Sequence, residues 1–280
     1  MEYNYSIILP YYDKYDLFVK AEGSIPDRED IQIIVVDNSK EHLEDYQIPR
    51  KHKAKVTYIT SDKTKGAGCA RNVGLTKVEG KYTLFCDADD YFTPEAFDVF
   101  DKYLDQEYDI VFFKSTSISL QTGEISDRHI PYNKLIDDYF KSGDTEQLRY
   151  RYEAPWGKLY LTSFIFFDDS IRFEEIRVNN DAWFSLMAGH NARRISVDND
   201  EVYVITEGNT GTSLTKIRTV SNTELRYDCA IKTNLFLRSV GHYGMRIRLL
   251  GYIRIAFLEF GLKVGVRFLW KAIRYRLSIF

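Results

Sequence analysis

Tyr82-Thr83-Leu84-Phe85-Cys86-Asp87-Ala88-Asp89-Asp90 runs strand-forming residues straight into three carboxylates. Leu84 and Phe85 favour a buried strand. Such a strand delivers its charge to its C-terminal edge, where open α/β sheets bind ligands. On an extended backbone Asp87 and Asp89, two positions apart, point the same way. Two converging hard oxygen ligands suit Mg2+ or Mn2+, and that cation would bridge a diphosphate. The plain alternative is a strand followed by an Asp-rich turn.

The segments before and after decide between these. Residues 5–11 read as a first buried strand stopped by Pro10. Residues 16–24 read as a helix with Leu17, Phe18 and Ala21 on one face. Residues 31–36, the most apolar, form a second strand ending in Asp37-Asn38-Ser39, and residues 56–59 a third. Lys63 to Leu75 reads as a Gly-rich loop feeding a helix. Residues 94–104 follow as a helix and 109–114 as a fifth strand. Alternating strands and helices predict a mostly parallel sheet, whose strand ends collect on one rim. Gly66-Ala67-Gly68 is no dinucleotide fingerprint, because the third glycine of that motif would fall on Arg71. No Walker sequence occurs. The loop reads instead as small residues that admit a nucleotide, with Arg71 facing phosphate or base. A helix N-terminus with a surface arginine is the alternative.

With 280 residues, 44% hydrophobic and 28% charged, the composition is globular and excludes a disordered chain. The net charge of −3 is unevenly spread. Residues 241–280 hold eight Lys/Arg and one acid, Glu259, which makes that segment +7 and the remainder −10. The acidic body argues against nucleic acid, and the basic end argues for an anionic surface. Three cysteines without CxxC spacing predict no disulfide framework and a reducing compartment. Residues 1–5 lack a basic start and an apolar core, so no signal peptide is expected. No run of 18 uncharged apolar residues occurs, so no spanning helix is expected either.

Taken in order, the motifs resemble those of the family 2 glycosyltransferases. Ser6-Ile7-Ile8-Leu9-Pro10-Tyr11-Tyr12-Asp13 is similar to the family's opening strand and turn, and Val35-Val36-Asp37-Asn38-Ser39 to its second-strand acidic motif. Gly66-Ala67-Gly68-Cys69-Ala70-Arg71-Asn72-Val73-Gly74-Leu75 is similar to A-G-x-A-R-N-x-G-L, and Phe85 to Asp90 with Pro94 to the DxD motif. The resemblance covers residues 5–115 clearly. It continues through Ala154-Pro155-Trp156-Gly157-Lys158-Leu159-Tyr160, through residues 173–184, and through Tyr203 to Ser213, which resembles the stretch closing the catalytic domain. Where the family has Glu-Asp, this chain has Asn180-Asp181.

The resemblance implies an α/β chain of the GT-A (Rossmann-like) class: a mostly parallel sheet flanked by helices, with a C-terminal helical extension. Residues 1–115 would be the nucleotide-sugar-binding half, 116–215 the acceptor half and 216–280 a basic amphipathic, membrane-associating tail. It also implies inverting transfer from a nucleotide sugar, UDP-linked before GDP or dTDP, to a hydroxyl of a glycan or lipid-linked acceptor. The product would belong to a bacterial surface polysaccharide such as capsule or O-antigen. Asp89, with Asp87, would hold Mn2+ or Mg2+ against the leaving diphosphate; Asp87 could instead meet the ribose. Asp181 would be the base, unless it only caps the helix that follows. Pro10, Tyr12, Asp37 and Arg71 would hold the nucleotide, Asp37 accepting from the base and Tyr12 stacking on it. Trp156 would be the sugar platform, or else core. Asp168, Asp169, Glu174 and Glu175 are reserve carboxylates.

In the tail, Lys263, Arg267, Lys271 and Arg274 share one helical face, with Val264, Phe268, Leu269, Ala272, Ile273 and Tyr275 on much of the rest. That pattern predicts a helix lying on anionic lipid at the inner face of the cell membrane, with the enzyme peripheral and cytoplasmic. Packing on the body or on a second subunit is the alternative. Two other functions fit less well. A nucleotidyltransferase would carry a basic, Gly-rich loop near residues 10–20, where only Lys14 and Lys20 stand. A non-catalytic membrane-docked subunit is supported only by Asn180.

Overall fold

The computed structural model describes residues 3–48, 51–208 and 218–280, with Asp45 described by its backbone alone. The chain opens with β1 (Tyr3–Tyr11), α1 (Tyr15–Gly23), β2 (Ile31–Asp37), β3 (Lys55–Thr60), α2 (Gly66–Leu75), β4 (Gly80–Phe85) and the two-residue β5 (Tyr91–Phe92). Every residue of β2 is buried, as an unbroken apolar run requires when both faces of a sheet are covered. Then come α3 (Ala96–Asp101), β6 (Ile110–Ser119), α4 (Ile130–Ser142), α5 (Glu146–Arg151), β7 (Lys158–Leu161), α6 (Thr162–Ile165), α7 (Ala182–Asn191) and β8 (Ile195–Glu207). The chain ends with α8 (Val220–Ser239), α9 (Leu250–Phe260) and α10 (Leu262–Arg274).

One eight-stranded sheet runs β3-β2-β1-β4-β7-β6-β8-β5. β3, β2, β1 and β4 pair in parallel, as do β6 and β8. β7 lies antiparallel to both β4 and β6, and β5 antiparallel to β8. The sheet is mixed but, as expected, mostly parallel: six strands run one way, the short reversed β7 joins two parallel blocks, and β5 is reversed at the edge.

Pro10 does not stop β1, which continues through Tyr11. Along a strand, successive residues turn their backbone polar groups to opposite neighbours. The Ile8 carbonyl accepts from Cys86 N on the β4 side, so position 10 faces that side too. β4 has ended at Phe85, and the missing N–H of Pro10 costs no ladder bond. α2 rests on β1 and β2 through Gly74, where a Cβ would stand 2.6 Å from the Ile8 Cγ2.

The basic tail is two helices rather than one, broken at Gly261 with φ +86°. With α8 they bury a second core that includes Tyr227, Ile231, Ile253, Ala256, Phe268 and Ala272. Gly265 permits the close approach of α9 and α10, since a Cβ there would fall 2.3 Å from the Phe257 ring. No helix among the described residues is long and apolar enough to cross a membrane. The expected boundary at 215/216, and the part of the 203–213 stretch beyond Gly208, lie outside the described residues.

Candidate active site

The site is built where β4 stops. The Phe85 ring meets Phe173, Phe184 and Tyr160 edge-on at 5.1, 5.2 and 5.7 Å. Phe173 and Phe184 stack at 4.1 Å, so the segment between them is held over the strand end. Asn72 of α2 pins its start: its amide donates to the Phe173 carbonyl at 2.9 Å and accepts from Phe173 N at 3.0 Å. Glu174 N donates to the Asn180 carbonyl at 3.0 Å and closes the loop.

This corrects the reading of the glycines. Gly66 to Leu75 is the helix itself, not a loop before it. A Cβ on Gly68 would lie 2.0 Å from the Glu174 carbonyl oxygen, and one on Gly66 3.2 Å from that of Ile176. The small residues make room for the protein's own 174–177 segment, not for a nucleotide.

Arg71, one turn into α2, is 5% exposed. It donates from Nη1 to Asn180 Oδ1 at 2.8 Å and from Nη2 to Asp87 Oδ1, and its guanidinium lies 5.3 Å over the Phe173 ring. Burial works against its charge, but Asp87 and Asp181 outweigh burial and hold its pKa above the ordinary value. Asn180, a departure from the family pattern in sequence, thus has a defined task. Nothing local signalled it, because its partner lies 109 residues away.

The three carboxylates divide. Asp87 goes to Arg71. Asp90 turns into the core, accepting from Thr206 N at 2.7 Å and from the Tyr203 hydroxyl at 3.1 Å. Burial, then Asp89 and Asp87, push its pKa well above the carboxylate range. The same Tyr203 hydroxyl accepts from Asp87 N at 2.9 Å, so β8 positions the whole turn. Asp89 faces solvent and pairs with the Lys14 ammonium at 2.9 Å, the two side chains 40% and 50% exposed.

Asp181 stands at the N-cap position of α7, yet its side chain makes no capping bond; its carbonyl accepts from Ser185 N. Asn179 just before it takes φ +58°, a left-handed conformation that asparagine tolerates. Burial raises the Asp181 pKa, Arg71 lowers it and Asp87 raises it, and the balance is upward. A carboxylate not used for capping, with a raised pKa, beside a buried arginine, is equipped to accept a proton. Lys158 shares this neighbourhood. Burial drives its pKa well down, Asp181 and Glu153 act the other way, and its ammonium donates to the Tyr152 carbonyl at 2.7 Å.

Asp37, expected to accept from the base, is engaged here by the protein's own donors. It is fully buried and accepts from Ser39 N at 2.9 Å, the Ser39 hydroxyl, Leu43 N at 2.8 Å and the Tyr58 hydroxyl at 2.7 Å. Burial alone would raise its pKa, but these donors bring it below the usual value. All four acceptor positions of the carboxylate are filled, so a nucleotide base would have to displace one donor. Asp37 orders the loop on the rim. Pro10 is half-buried and Tyr12 about half exposed where β1 ends, which leaves the Tyr12 ring open for stacking.

Trp156 is corrected outright. It is 5% exposed, stacked on Tyr203 at 5.4 Å and met edge-on by Tyr132 at 4.7 Å. It is core, with no face for a sugar. The reserve carboxylates are engaged elsewhere. Asp168 accepts from Ser170 N and Asn191, and Asp169 lies in solvent near Arg172. Glu174 pairs with Lys232 at 2.7 Å and Glu175 with Lys65 at 2.9 Å.

No group of three His, Cys, Asp or Glu among the described residues could by itself hold a metal ion. A magnesium-type cation that arrives with a diphosphate needs only one or two protein carboxylates. Asp89 meets that need, already carries a positive partner in Lys14, and has Asp87 two residues away. The donors fit a cation shared with a ligand and do not fit a caged one.

The C-terminal end of β4 thus gathers carboxylates and a buried arginine on one edge of a mixed sheet. Residues 6–170 match the family described as Glycosyl transferase family 2, and the chain belongs to that family and has the GT-A fold. Among curated proteins it is 25% identical over 207 residues to the poly(ribitol-phosphate) beta-N-acetylglucosaminyltransferase TarS of Staphylococcus aureus, covering 71% of this chain and 35% of TarS. It is 29% identical over 233 residues to the uncharacterized glycosyltransferase EpsJ of Bacillus subtilis, covering 76% of this chain and 63% of EpsJ. The chain thus spans about a third of TarS and under two thirds of EpsJ. The crystal structure of S. aureus TarS 1-349 in complex with UDP-GlcNAc superposes with a TM-score of 0.64 at 25% identity, covering 83% of this chain and 66% of that one.

Proposed function

We propose that this chain is an inverting transferase that moves a hexose-type sugar from a UDP-linked donor to a hydroxyl of a glycan or lipid-linked acceptor, in the synthesis of a bacterial surface polysaccharide. The observation that carries the reading is the convergence at the end of β4: Arg71, Asp87 and Asn180 locked together, with the Asp181 carboxylate beside them and not used for capping. Inversion is a single in-line displacement. The acceptor hydroxyl must lose a proton as it attacks, and Asp181 takes it. The leaving diphosphate gains charge, which Arg71, fixed by its neighbours, meets without reorganising. Asp89, with Asp87, would hold a divalent cation, which supplies further charge at the leaving group. Tyr12 stacks on the base, and Asp37 holds the loop beneath it.

With Trp156 in the core, the acceptor needs another entrance. A cleft of about 540 Å3 is lined by residues that include Asp127, Arg128, Tyr132, Arg151 and Glu153. Asp181 acts electrostatically on both Tyr132 and Glu153, which supports its nearness to this cleft. A lining that sets charged groups among Pro131, Tyr132 and Leu135 suits a sugar, which presents hydroxyls and apolar C–H faces together. TarS, crystallised with UDP-GlcNAc, makes that compound the first donor to try. Residues 245–280 would meet an anionic membrane surface on the cytoplasmic side.

The test is calorimetric titration of UDP, GDP and dTDP, each with Mn2+ and with EDTA, on the wild type and on Asp89→Ala. Tight UDP binding that needs the cation and disappears in the variant is the expected result. No nucleotide binding under any condition would sink the reading.

A further inference from the structure

At about 100° per residue, α10 divides into three stripes. Gly265, Phe268 and Ala272, with Val264 beside them, face the core shared with α8 and α9. Lys263, Arg267, Lys271 and Arg274 form a second stripe. Leu262, Val266, Trp270 and Ile273 form a third, within about 80° of arc. These four apolar side chains are 74%, 51%, 55% and 63% exposed. Leu258, three residues before the Gly261 turn, is exposed as well.

Of the apolar side expected from the sequence, Phe268 and Ala272 are buried inside the protein, Val264 and Leu269 are half-buried, and Ile273 and Tyr275 are exposed. The basic stripe is also partly used up. Arg267 pairs with Glu224 at 2.9 Å, and Lys271 with Glu224 at 3.0 Å and Asp228 at 2.8 Å. Lys263 and Arg274 have no acidic partner among the described residues, nor does the exposed Arg254 of α9. The Arg274 guanidinium lies 5.3 Å over the Trp270 ring, which joins a free cation to the apolar stripe.

We propose that α10 seats on an anionic lipid surface through Leu262, Val266, Trp270 and Ile273, with Lys263, Arg254 and Arg274 at the level of the lipid phosphates. The inference rests on the membrane reading above and narrows it to one face, which keeps Ile273 from the side the sequence indicated and replaces the buried Phe268 and Ala272 with Leu262 and Val266. Large aliphatic side chains, a tryptophan and long cationic stems beside them match the depth profile of a bilayer interface. A second copy fits worse. Stripe-to-stripe packing about a two-fold axis would bring the free cations of both copies together, within a segment that is already +7. An anionic surface is the complement the charge asks for.

The experiment uses the full chain with vesicles of phosphatidylcholine, alone and mixed with phosphatidylglycerol, read by co-sedimentation and by the tryptophan emission that Trp270→Phe removes. Binding to the anionic vesicles, a blue shift, and quenching by acyl-chain bromines are expected. Leu262→Asp with Ile273→Asp should lower partitioning at least about tenfold. Lys263→Glu with Arg274→Glu should remove the preference for anionic vesicles. Unchanged UDP binding in both variants verifies that they fold. If the wild type sediments with anionic vesicles and the double aspartate variant does so equally, the stripe is overturned and membrane binding stands. If the wild type binds no vesicle, both fail. A wild-type dimer that the aspartate variant turns into a monomer would assign the stripe to a second copy and overturn the proposal.

Discussion

Asp87 and Asp89 are separated by one alanine and belong to opposite kinds of site. Asp87 closes a buried cluster in which Arg71 spans from α2 to the 174–181 loop over an aromatic floor. Asp89 stands in water with a lysine that any stronger cation can displace. The first arrangement is framework: removing one member strands the others in low dielectric. The second is exchangeable, because solvent can replace either partner. Two-residue spacing announces that both side chains leave the strand end together. It does not say which one the fold retains and which it leaves for ligand.

Arg71→Met breaks this contrast most severely. It leaves Asp87, Asn180 and Asp181 without their buried cation, and a loss of about 3–5 kcal/mol in denaturant unfolding is expected, with sugar transfer abolished. A variant as stable as the wild type would show that the cluster is not framework.

Asp181→Asn comes next, and should separate chemistry from stability. Loss of the base should lower the transfer rate by about 10^2–10^4. Unfolding should stay within about 0.5 kcal/mol of wild type, because the side chain makes no capping bond. The folded pKa of Asp181 lies above its unfolded value. Its contribution to stability is therefore present below the unfolded carboxylate pKa and lost as pH rises through the folded one. Activity runs the other way: the wild-type rate should climb with pH through that raised pKa as the base form appears. The asparagine variant should lack this limb. If it keeps the limb, another group is the base.

Lys14→Met should have the smallest effect. An exposed pair of this kind contributes about 0–1 kcal/mol, so stability should not move. Freed of its ammonium, Asp89 should bind Mn2+ together with UDP about threefold more tightly, by the same modest energy. Weaker cation binding in Lys14→Met would mean that Lys14 helps hold the diphosphate instead of competing for Asp89.

The parallel block was legible because β2 and its neighbours are long, apolar and bounded by polar ends. β7 was not. Four residues after Trp156-Gly157 carry too little periodicity, and their place between β4 and β6 is decided by edges formed elsewhere. β8 was hidden differently: Asp198, Asn199 and Asp200 interrupt its apolar pattern, and β6 carries register shifts opposite that stretch. In the site, Arg71, Asp87 and Asp181 could be named from motif order. Trp156 could not be assigned, since an aromatic residue reads the same over a sugar as inside a core. The glycines of α2 pointed outward to a ligand on paper and inward to the chain in three dimensions.

The reach of Arg71 to Asn180 also has a consequence for biosynthesis. The two residues are 109 positions apart, and Asn72 to Phe173 spans 101. At about 5–20 residues per second, a ribosome releases the arginine roughly 5–20 s before its acceptor. Through that interval β1 to β4 can pair while the guanidinium and the ring of Phe85 lack their cover. The 174–181 loop therefore closes only after the first parallel block can form, and a chaperone that shields nascent aromatic surface would act on this intermediate.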